Sequence, residues 1–178
     1  TGAAHAQGTG GKPLRIIVAF GPGSFNDIAA RELARHMGEI LGQPMIVENR
    51  PGAGGSVGTD VVAKAAPDGS TIGLGTSSQM VMNVGLYRNL PFDVERDLRL
   101  IGLVGRTPLV LAGKAAGAQS LKELIASAKS KPGAVTYGSG GTGSISHIVG
   151  EAFARAADVQ LTHVPYKGAA PVMTDVVG

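Results

Sequence analysis

The feature that most constrains the fold is a nearly uninterrupted apolar run at residues 14–20, which leads directly into a glycine-rich turn and an amphipathic helix. A run without polar alternation is typical of a strand buried on both faces, as parallel sheets require. From Asn26 onward, apolar residues recur every three or four positions with charged residues between them, which predicts a helix. We expect Asn26 or Asp27 to cap this helix and Gly42 to end it.

The same order continues through the first half of the chain. The predicted elements are a strand at 45–48, a loop at 49–55, a helix from a Ser56 cap to about Ala65, a strand at 71–75 and a helix at 77–86. Strands that alternate with helices are typical of a parallel sheet with helices on its faces. The first half of the chain therefore predicts an α/β fold.

The second half begins a new α/β pattern. The predicted elements are strands at 98–104 and 109–112, a helix at 120–130 that opens with the capping box Ser120 and Glu123, a strand at 134–137, a glycine loop at 138–143, a helix at 146–157, a strand at 159–164 and a final helix. Because the pattern restarts near residue 104, we expect a flexible tail at 1–11, lobe 1 at 12–104 and lobe 2 at 105–178. The final helix still runs at Gly178, so we expect the second lobe to be incomplete at the C-terminus.

Two junctions, at residues 21–27 and 138–147, each join a strand to a helix through a glycine loop. In open α/β sheets ligands bind beyond the carboxyl ends of strands, and helix N-termini offer free N–H groups to anions. The second loop adds hydroxyls at Ser139, Thr142 and Ser144. Because two such junctions occur at equivalent points, an anionic or polar ligand site is favoured over plain turns.

Composition excludes several classes of protein. The chain has 16 Lys and Arg against 13 Asp and Glu, a net charge of +3 that is scattered, and aromatic residues make up only 4%. Neither a phosphate-tracking surface nor a set of base-stacking rings is present, so no nucleic-acid partner is predicted. The absence of Cys excludes disulfides, thiolate catalysis and cysteine-based metal sites.

The four histidines do not indicate an enzyme. No HExxH pattern or other ligand-spaced cluster occurs around them. We predict no catalytic residues, no metal and no cofactor.

The N-terminus carries Ala4-His5-Ala6, an A-x-A pattern like that left by a secretory signal peptide. No apolar run approaches the roughly 18 residues of a membrane span. A fortuitous alanine-rich tail is the alternative reading of the pattern.

A nucleotide-binding α/β domain of an enzyme is the alternative function. Gly21-x-Gly23 followed by Asn26 lacks the third glycine of a dinucleotide fingerprint, although Glu48 follows at the end of the second strand, where a ribose-binding acid belongs. The second loop has no Lys after its last glycine and is not a P-loop. Ser56 sits in a nucleophile-elbow pattern, but a loop separates it from the preceding strand.

Four motifs in order resemble one known family. They are Val47-Glu48-Asn49-Arg50-Pro51-Gly52-Ala53-Gly54-Gly55, Ala66-Pro67-Asp68-Gly69-x-Thr71, Tyr137-Gly138-Ser139-x-Gly141-x-Gly143-Ser144 with His147, and His163-Val164-Pro165-Tyr166-Lys167-Gly168. They resemble the Bug (TctC-like) family, the periplasmic solute-binding receptors of tripartite tricarboxylate transporters, from residue 14 to 178. The resemblance implies a type II periplasmic-binding-protein fold, with two α/β lobes that close on a small carboxylate. It also implies a periplasmic, non-enzymatic, monomeric protein that delivers its ligand to membrane permease subunits.

Carried over residue by residue, the resemblance implies contacts to the ligand from both lobes. The implied ligand-binding residues are Phe20, Gly21, Gly23, Ser24, Asn26, Asp27, Thr76, Ser77, Ser78, Ser139, Gly141, Thr142, Ser144, Tyr166 and Gly168. Two departures from the family are visible. Phe25 stands in a loop that usually reads Pro-Gly-Gly-Ser, where its ring either narrows the pocket or points away from it. Family members also continue well past residue 178.

Overall fold

The computed structural model describes residues 13–114 and 116–178. The first unit, lobe 1, is built on a parallel sheet with strand order β2–β1–β3: β1 is Leu14–Val18, β2 is Met45–Asn49 and β3 is Thr71–Leu74. In the central strand β1, Ile16, Ile17 and Val18 are at most 1% exposed. The buried parallel strand that the apolar run predicts is confirmed.

Helix α1, at Phe25–Leu41, covers one face of this sheet. Ala30 is fully buried against Ile16 and Val18, and it anchors the hydrophobic core of lobe 1. The predicted end of the helix is confirmed, because Gly42 adopts the left-handed conformation with φ 63°.

The predicted N-terminal caps of the first two helices are wrong. Ser24, in extended conformation, caps α1 and accepts a hydrogen bond from the Asp27 amide at 3.2 Å, because the Asp27 carboxylate turns back to the preceding loop. Helix α2, at Ser56–Ala63, follows a 3₁₀ turn at Ala53–Gly55, and its cap is Gly55 with φ 95°. The Ser56 hydroxyl instead accepts a hydrogen bond from Asn83 Nδ2 at 2.9 Å.

The helix predicted at residues 77–86 is confirmed in two parts. A π-helical turn at Ser78–Met82 runs directly into the short helix α3 at Asn83–Leu86. Asn83 is fully buried, and its amide also donates to the Gly54 carbonyl at 3.2 Å. This helical segment therefore supports the loop that precedes α2.

The second unit, lobe 2, pairs two parallel strands. Its elements are α4 at Leu121–Ser130, β4 at Thr136–Ser139, α5 at Ile145–Ala156, β5 at Thr162–Pro165 and α6 at Ala169–Val177. Ser120 caps α4 as predicted, with the Glu123 amide 3.2 Å from its hydroxyl. Strand β5 begins later than predicted because Val159 still bonds to Ala154 at the end of α5.

The strands predicted at residues 98–104 and 109–112 do not form, and this prediction is wrong. Ile101 is 84% exposed and Val110 is 82% exposed. Strands need a partner for their backbone N–H and C=O groups, and no strand of the described residues lies beside this segment. The division of the chain at residues 104 and 105 stays a prediction, and the tail at 1–11 lies outside the described residues.

No helix within the described ranges has both the length and the apolar character needed to cross a membrane.

Candidate functional site

Hydrogen bonds between described residues join the two lobes. The Gly21 amide donates to the Lys167 carbonyl at 3.1 Å. The Ile145 amide, at the start of α5, donates to the Ser78 hydroxyl at 2.8 Å, and the Tyr87 hydroxyl donates to the Thr142 carbonyl at 3.3 Å. These bonds bring the loop after β1 and the loop after β4 to the same side of the molecule.

A cavity of about 240 Å³ lies where these loops meet. It is lined by Phe20, Pro51, Gly52, Ala53, Gly54, Gly55, Gly140, Gly141, Thr142, Pro165, Tyr166 and Lys167. Residues of both lobes therefore line it, at the carboxyl ends of parallel strands where open α/β sheets bind ligands.

The Asp27 carboxylate holds the loop that follows β1, which is the first of the two predicted glycine loops. Asp27 is 3% exposed and accepts hydrogen bonds from the Gly23 amide at 3.0 Å, from Asn49 Nδ2 at 2.9 Å and from Arg31 Nε at 3.1 Å. Burial opposes the charged form, but these hydrogen bonds and the Arg31 charge outweigh it and lower the pKa of Asp27 below its ordinary value. Asp27 therefore positions the loop, and its own oxygens are occupied.

Ser77 and Ser78, both predicted to bind the ligand, have different environments. Ser77 is exposed, whereas Ser78 is fully buried with its hydroxyl on the Ile145 amide. Thr76 binds the Gln79 side chain through both its amide and its hydroxyl. Within this group, Thr76 and Ser78 are thus occupied by protein contacts.

The second predicted loop, residues 138–143, is fixed at several points. The Ser139 hydroxyl, 1% exposed, lies 2.6 Å from His163 Nε2 and accepts from the Gly141 amide at 3.1 Å. The Gly140 amide donates to Ser146 Oγ at 3.0 Å, and Ser144 caps α5. These hydrogen bonds hold the loop in place where it lines the cavity.

The structure brings some of the predicted residues to the cavity wall and others behind it. Phe20, Gly141, Thr142 and Tyr166 line the cavity. The others lie in the supporting loops: Gly21, Gly23, Ser24, Asn26, Asp27, Thr76, Ser77, Ser78, Ser139, Ser144 and Gly168. Tyr166 lines the wall with its hydroxyl bound to Asp175 at 2.5 Å.

Residues 51–55 form a part of the wall that the site prediction missed. Gly54 is buried against the backbone of Thr142 and Gly143 in the other lobe, where a Cβ atom would collide. Ala53 adopts φ 46°, an uncommon conformation for a residue with a side chain, and such strain concentrates at functional sites. The sequence signal that could have predicted this part of the wall is the glycine run after the second strand, because it follows the carboxyl end of β2.

Charge and free donors at the wall favour an anion. Lys167 is the charged residue among the described residues that line the cavity, and no carboxylate joins it there. Within the described part of the chain, the amides of Gly54, Thr142 and Lys167 have no hydrogen-bond partner. Unpaired backbone donors beside a cation suit a carboxylate.

Glu48, the candidate ribose-binding acid, is engaged elsewhere. Its carboxylate accepts from Arg15 at 2.6 and 3.0 Å and from Arg50 at 3.0 Å. The hydrogen bond from Arg15 is the main cause that lowers the pKa of Glu48 to about 2. Both oxygens are occupied, so the residue that supported nucleotide binding is not free for a ribose. The described residues also contain no group of three side chains placed to hold a metal ion.

Comparison with known proteins gives relatives over most of the chain. BugT of Bordetella pertussis is 40% identical over 169 residues, which cover 94% of this chain and 52% of that protein. MatC of Rhodopseudomonas palustris, solved with bound malate, superposes with a TM-score of 0.85 at 30% identity over 92% of this chain and 56% of MatC. An R. palustris protein solved with adipate superposes with a TM-score of 0.78 at 29% identity, over 92% of this chain and 55% of the other.

The chain spans about half the length of the relatives it matches. The parallel α/β architecture predicted from the sequence is that of periplasmic binding proteins, over the part of their fold that this chain covers. The sequence profile of the family described as "Tripartite tricarboxylate transporter family receptor" matches residues 29–178. The chain therefore belongs to the TctC family of tripartite tricarboxylate transporter receptors.

Proposed function

We propose that the chain belongs to a receptor that captures a small carboxylate in the periplasm for a tripartite tricarboxylate-type transporter. The observation that carries the proposal is the cavity between the two lobes, with unpaired amides at Gly54 and Thr142 and a cation at Lys167. The solved relatives hold malate and adipate, both of them small dicarboxylates. The candidate ligands are di- and tricarboxylates, acidic amino acids and aromatic acids.

The size of the cavity fits a small solute. Its volume of about 240 Å³ is below the range of about 300–1,000 Å³ that is typical of drug-sized ligands. Ligand contacts in the cavity would come from both lobes at once. A ligand that touches both lobes stabilises the state in which they are joined, and this preference becomes part of its affinity.

The mechanism is binding without catalysis. Backbone amides and one lysine neutralise the ligand's charge, and no described residue at the wall offers an activated nucleophile or a proton-transferring base. Membrane permease subunits would then recognise the loaded, joined form of the receptor, which acts as a monomer and needs no cofactor. Secretion would depend on a signal peptide removed near Ala6, a position outside the described residues.

The test is a calorimetric titration of the full chain with malate, adipate, citrate and glutamate, beside NAD and ATP. We expect saturable binding of at least one carboxylate and none of the nucleotides. Binding of nucleotides alone would replace this proposal by the nucleotide-binding alternative. Binding of none of these compounds would contradict the proposal for this chain.

A further inference from the structure

Two imidazole rings lie stacked directly behind the second glycine loop. His147 of α5 and His163 of β5 have ring centroids 4.1 Å apart and planes inclined by 28°. Tyr137 of β4 also stacks with His163, at a centroid distance of 5.0 Å. We call these three rings the histidine stack. It lies outside the cavity wall, so direct contact with a ligand does not explain it.

Each imidazole bonds to one end of residues 138–143. His163 Nε2 lies 2.6 Å from the hydroxyl of Ser139, the last residue of β4. His147 Nδ1 accepts a hydrogen bond from the Gly143 amide at 3.3 Å, just before α5 begins. Between these two points lie Gly140, Gly141 and Thr142, which line the cavity. The stack therefore holds the lining segment at both ends.

We propose that His147 and His163 are positioning residues for the ligand, and that their protonation releases residues 138–143 and weakens binding at acidic pH. This inference rests on the proposed function, because it concerns the same cavity. The inference assigns a role to two side chains that do not line the cavity.

The hydrogen bond to Gly143 requires a neutral His147. An amide N–H donates only to a nitrogen with a free lone pair, so Nδ1 carries no proton and Nε2 carries it. Protonation would place an N–H group against the Gly143 N–H and remove the bond. A second proton, on His163, would add a like charge at the stacking distance of 4.1 Å.

The surroundings of His163 favour its neutral form. Burial is the main cause that lowers the pKa of His163, the neighbouring His147 lowers it further, and Glu151 of α5 opposes both. From β4, the stack is faced by Tyr137, whose hydroxyl donates to Glu151 at 2.6 Å. Burial and this bond raise the pKa of Tyr137, so its ring stays uncharged. Protonation of His163 therefore belongs to pH values below the ordinary histidine pKa of about 6.5.

The test compares the affinity of the full chain for malate and adipate at pH 7.5 and pH 5.5, by calorimetry. His147→Asn keeps an acceptor at the same position and cannot be protonated, whereas His147→Phe keeps a stacking ring without an acceptor. His36→Asn, on the exposed side of α1, is the matched control. Because the ligand's own protonation affects all variants equally, the ratio of the two affinities is compared between variants.

We expect the wild type and His36→Asn to lose at least tenfold in affinity between pH 7.5 and pH 5.5. His147→Asn should lose at most threefold over the same pH range, and His147→Phe should be weakened at both pH values. An equal loss in wild type and His147→Asn would overturn the inference, as would a wild-type affinity that does not change with pH.

A second measurement needs no ligand. The amide NMR signals of Gly143 and Ser139 should shift with pH in the wild type, and the Gly143 shift should be absent in His147→Asn. If no carboxylate binds at pH 7.5, the proposed function fails, and these two amide signals still decide the inference. Amide signals that do not titrate in the wild type would refute it.

Discussion

The contact between Gly21 and Lys167 offers the sharpest test of how the lobes are held. Gly21 is buried, its amide donates to the Lys167 carbonyl at 3.1 Å, and a Cβ atom at this position would overlap the same oxygen. Since Lys167 O is a backbone atom, it cannot turn away. We therefore expect Gly21→Ala to push the two loops apart by about 1 Å.

The magnitude follows from two costs. The lost hydrogen bond costs about 1 kcal/mol, and the steric overlap costs about 1–3 kcal/mol. The contact between the lobes should therefore weaken by about 2–4 kcal/mol. If a ligand needs both lobes, its Kd rises by about 30- to 700-fold, since about 1.4 kcal/mol is a factor of ten.

The assay is calorimetry with malate, together with the thermal midpoint of unfolding. The same loss should lower Tm by about 4–16 °C in a chain of this size. Gly85→Ala is the control, because a Cβ atom there meets nothing within 4 Å. A Gly21→Ala chain with the Kd and Tm of this control would refute the reasoning.

Three further changes test the site and its frame. Ser139→Ala should weaken carboxylate binding by about 1–2 kcal/mol without unfolding the protein, because a buried hydrogen bond to the loop is lost; unchanged calorimetric affinity would contradict the site. Lys167→Met should raise the Kd for malate about tenfold at low salt, whereas Lys122→Met, at an exposed position, should not. An equal effect of both substitutions would show that Lys167 is not part of the binding site. Glu48 has a pKa lowered from 4.5 to about 2, so its ion pairs stabilise the fold above pH 4.5 and lose this effect as the pH falls toward 2. Glu48→Gln should therefore cost about 1–2 kcal/mol at pH 7, allowing for solvent screening, and at most about half a kcal/mol at pH 2, where the carboxyl is about half protonated, as measured by urea unfolding; a loss that is equally large at pH 2 would point to packing instead.

The elements with the strongest patterns were predictable from the sequence. The apolar run of β1 and the spacing of apolar residues in α1 depend on burial, which the order of residues encodes directly. Helix caps were less predictable, because several adjacent residues can cap. Asp27 follows Ser24 by three positions, and only the folded loop shows that its carboxylate is taken by Gly23 and Arg31.

The segment at residues 98–112 shows the limit of local patterns. Its apolar residues have the composition of strands, but strand formation depends on a neighbouring strand, which local sequence does not report. For the site, the sequence was enough to predict which loops form it, but not which of their residues line the cavity. Which residues reach the wall depends on how the lobes meet, and residues 51–55 enter it because Gly54 allows the second lobe to approach.

The hydrogen bond between the Ile145 amide and the Ser78 hydroxyl can report on the separation of the two lobes. Because the first amide of α5 is bonded from the other lobe, the exchange of the Ile145 amide with deuterated solvent depends on separation of the lobes, not only on fraying of the helix. The amide of Ile148, which bonds to Ser144 within lobe 2, is an internal reference on the same helix. The ratio of the two exchange rates measures how often the lobes part, at one residue and without a label.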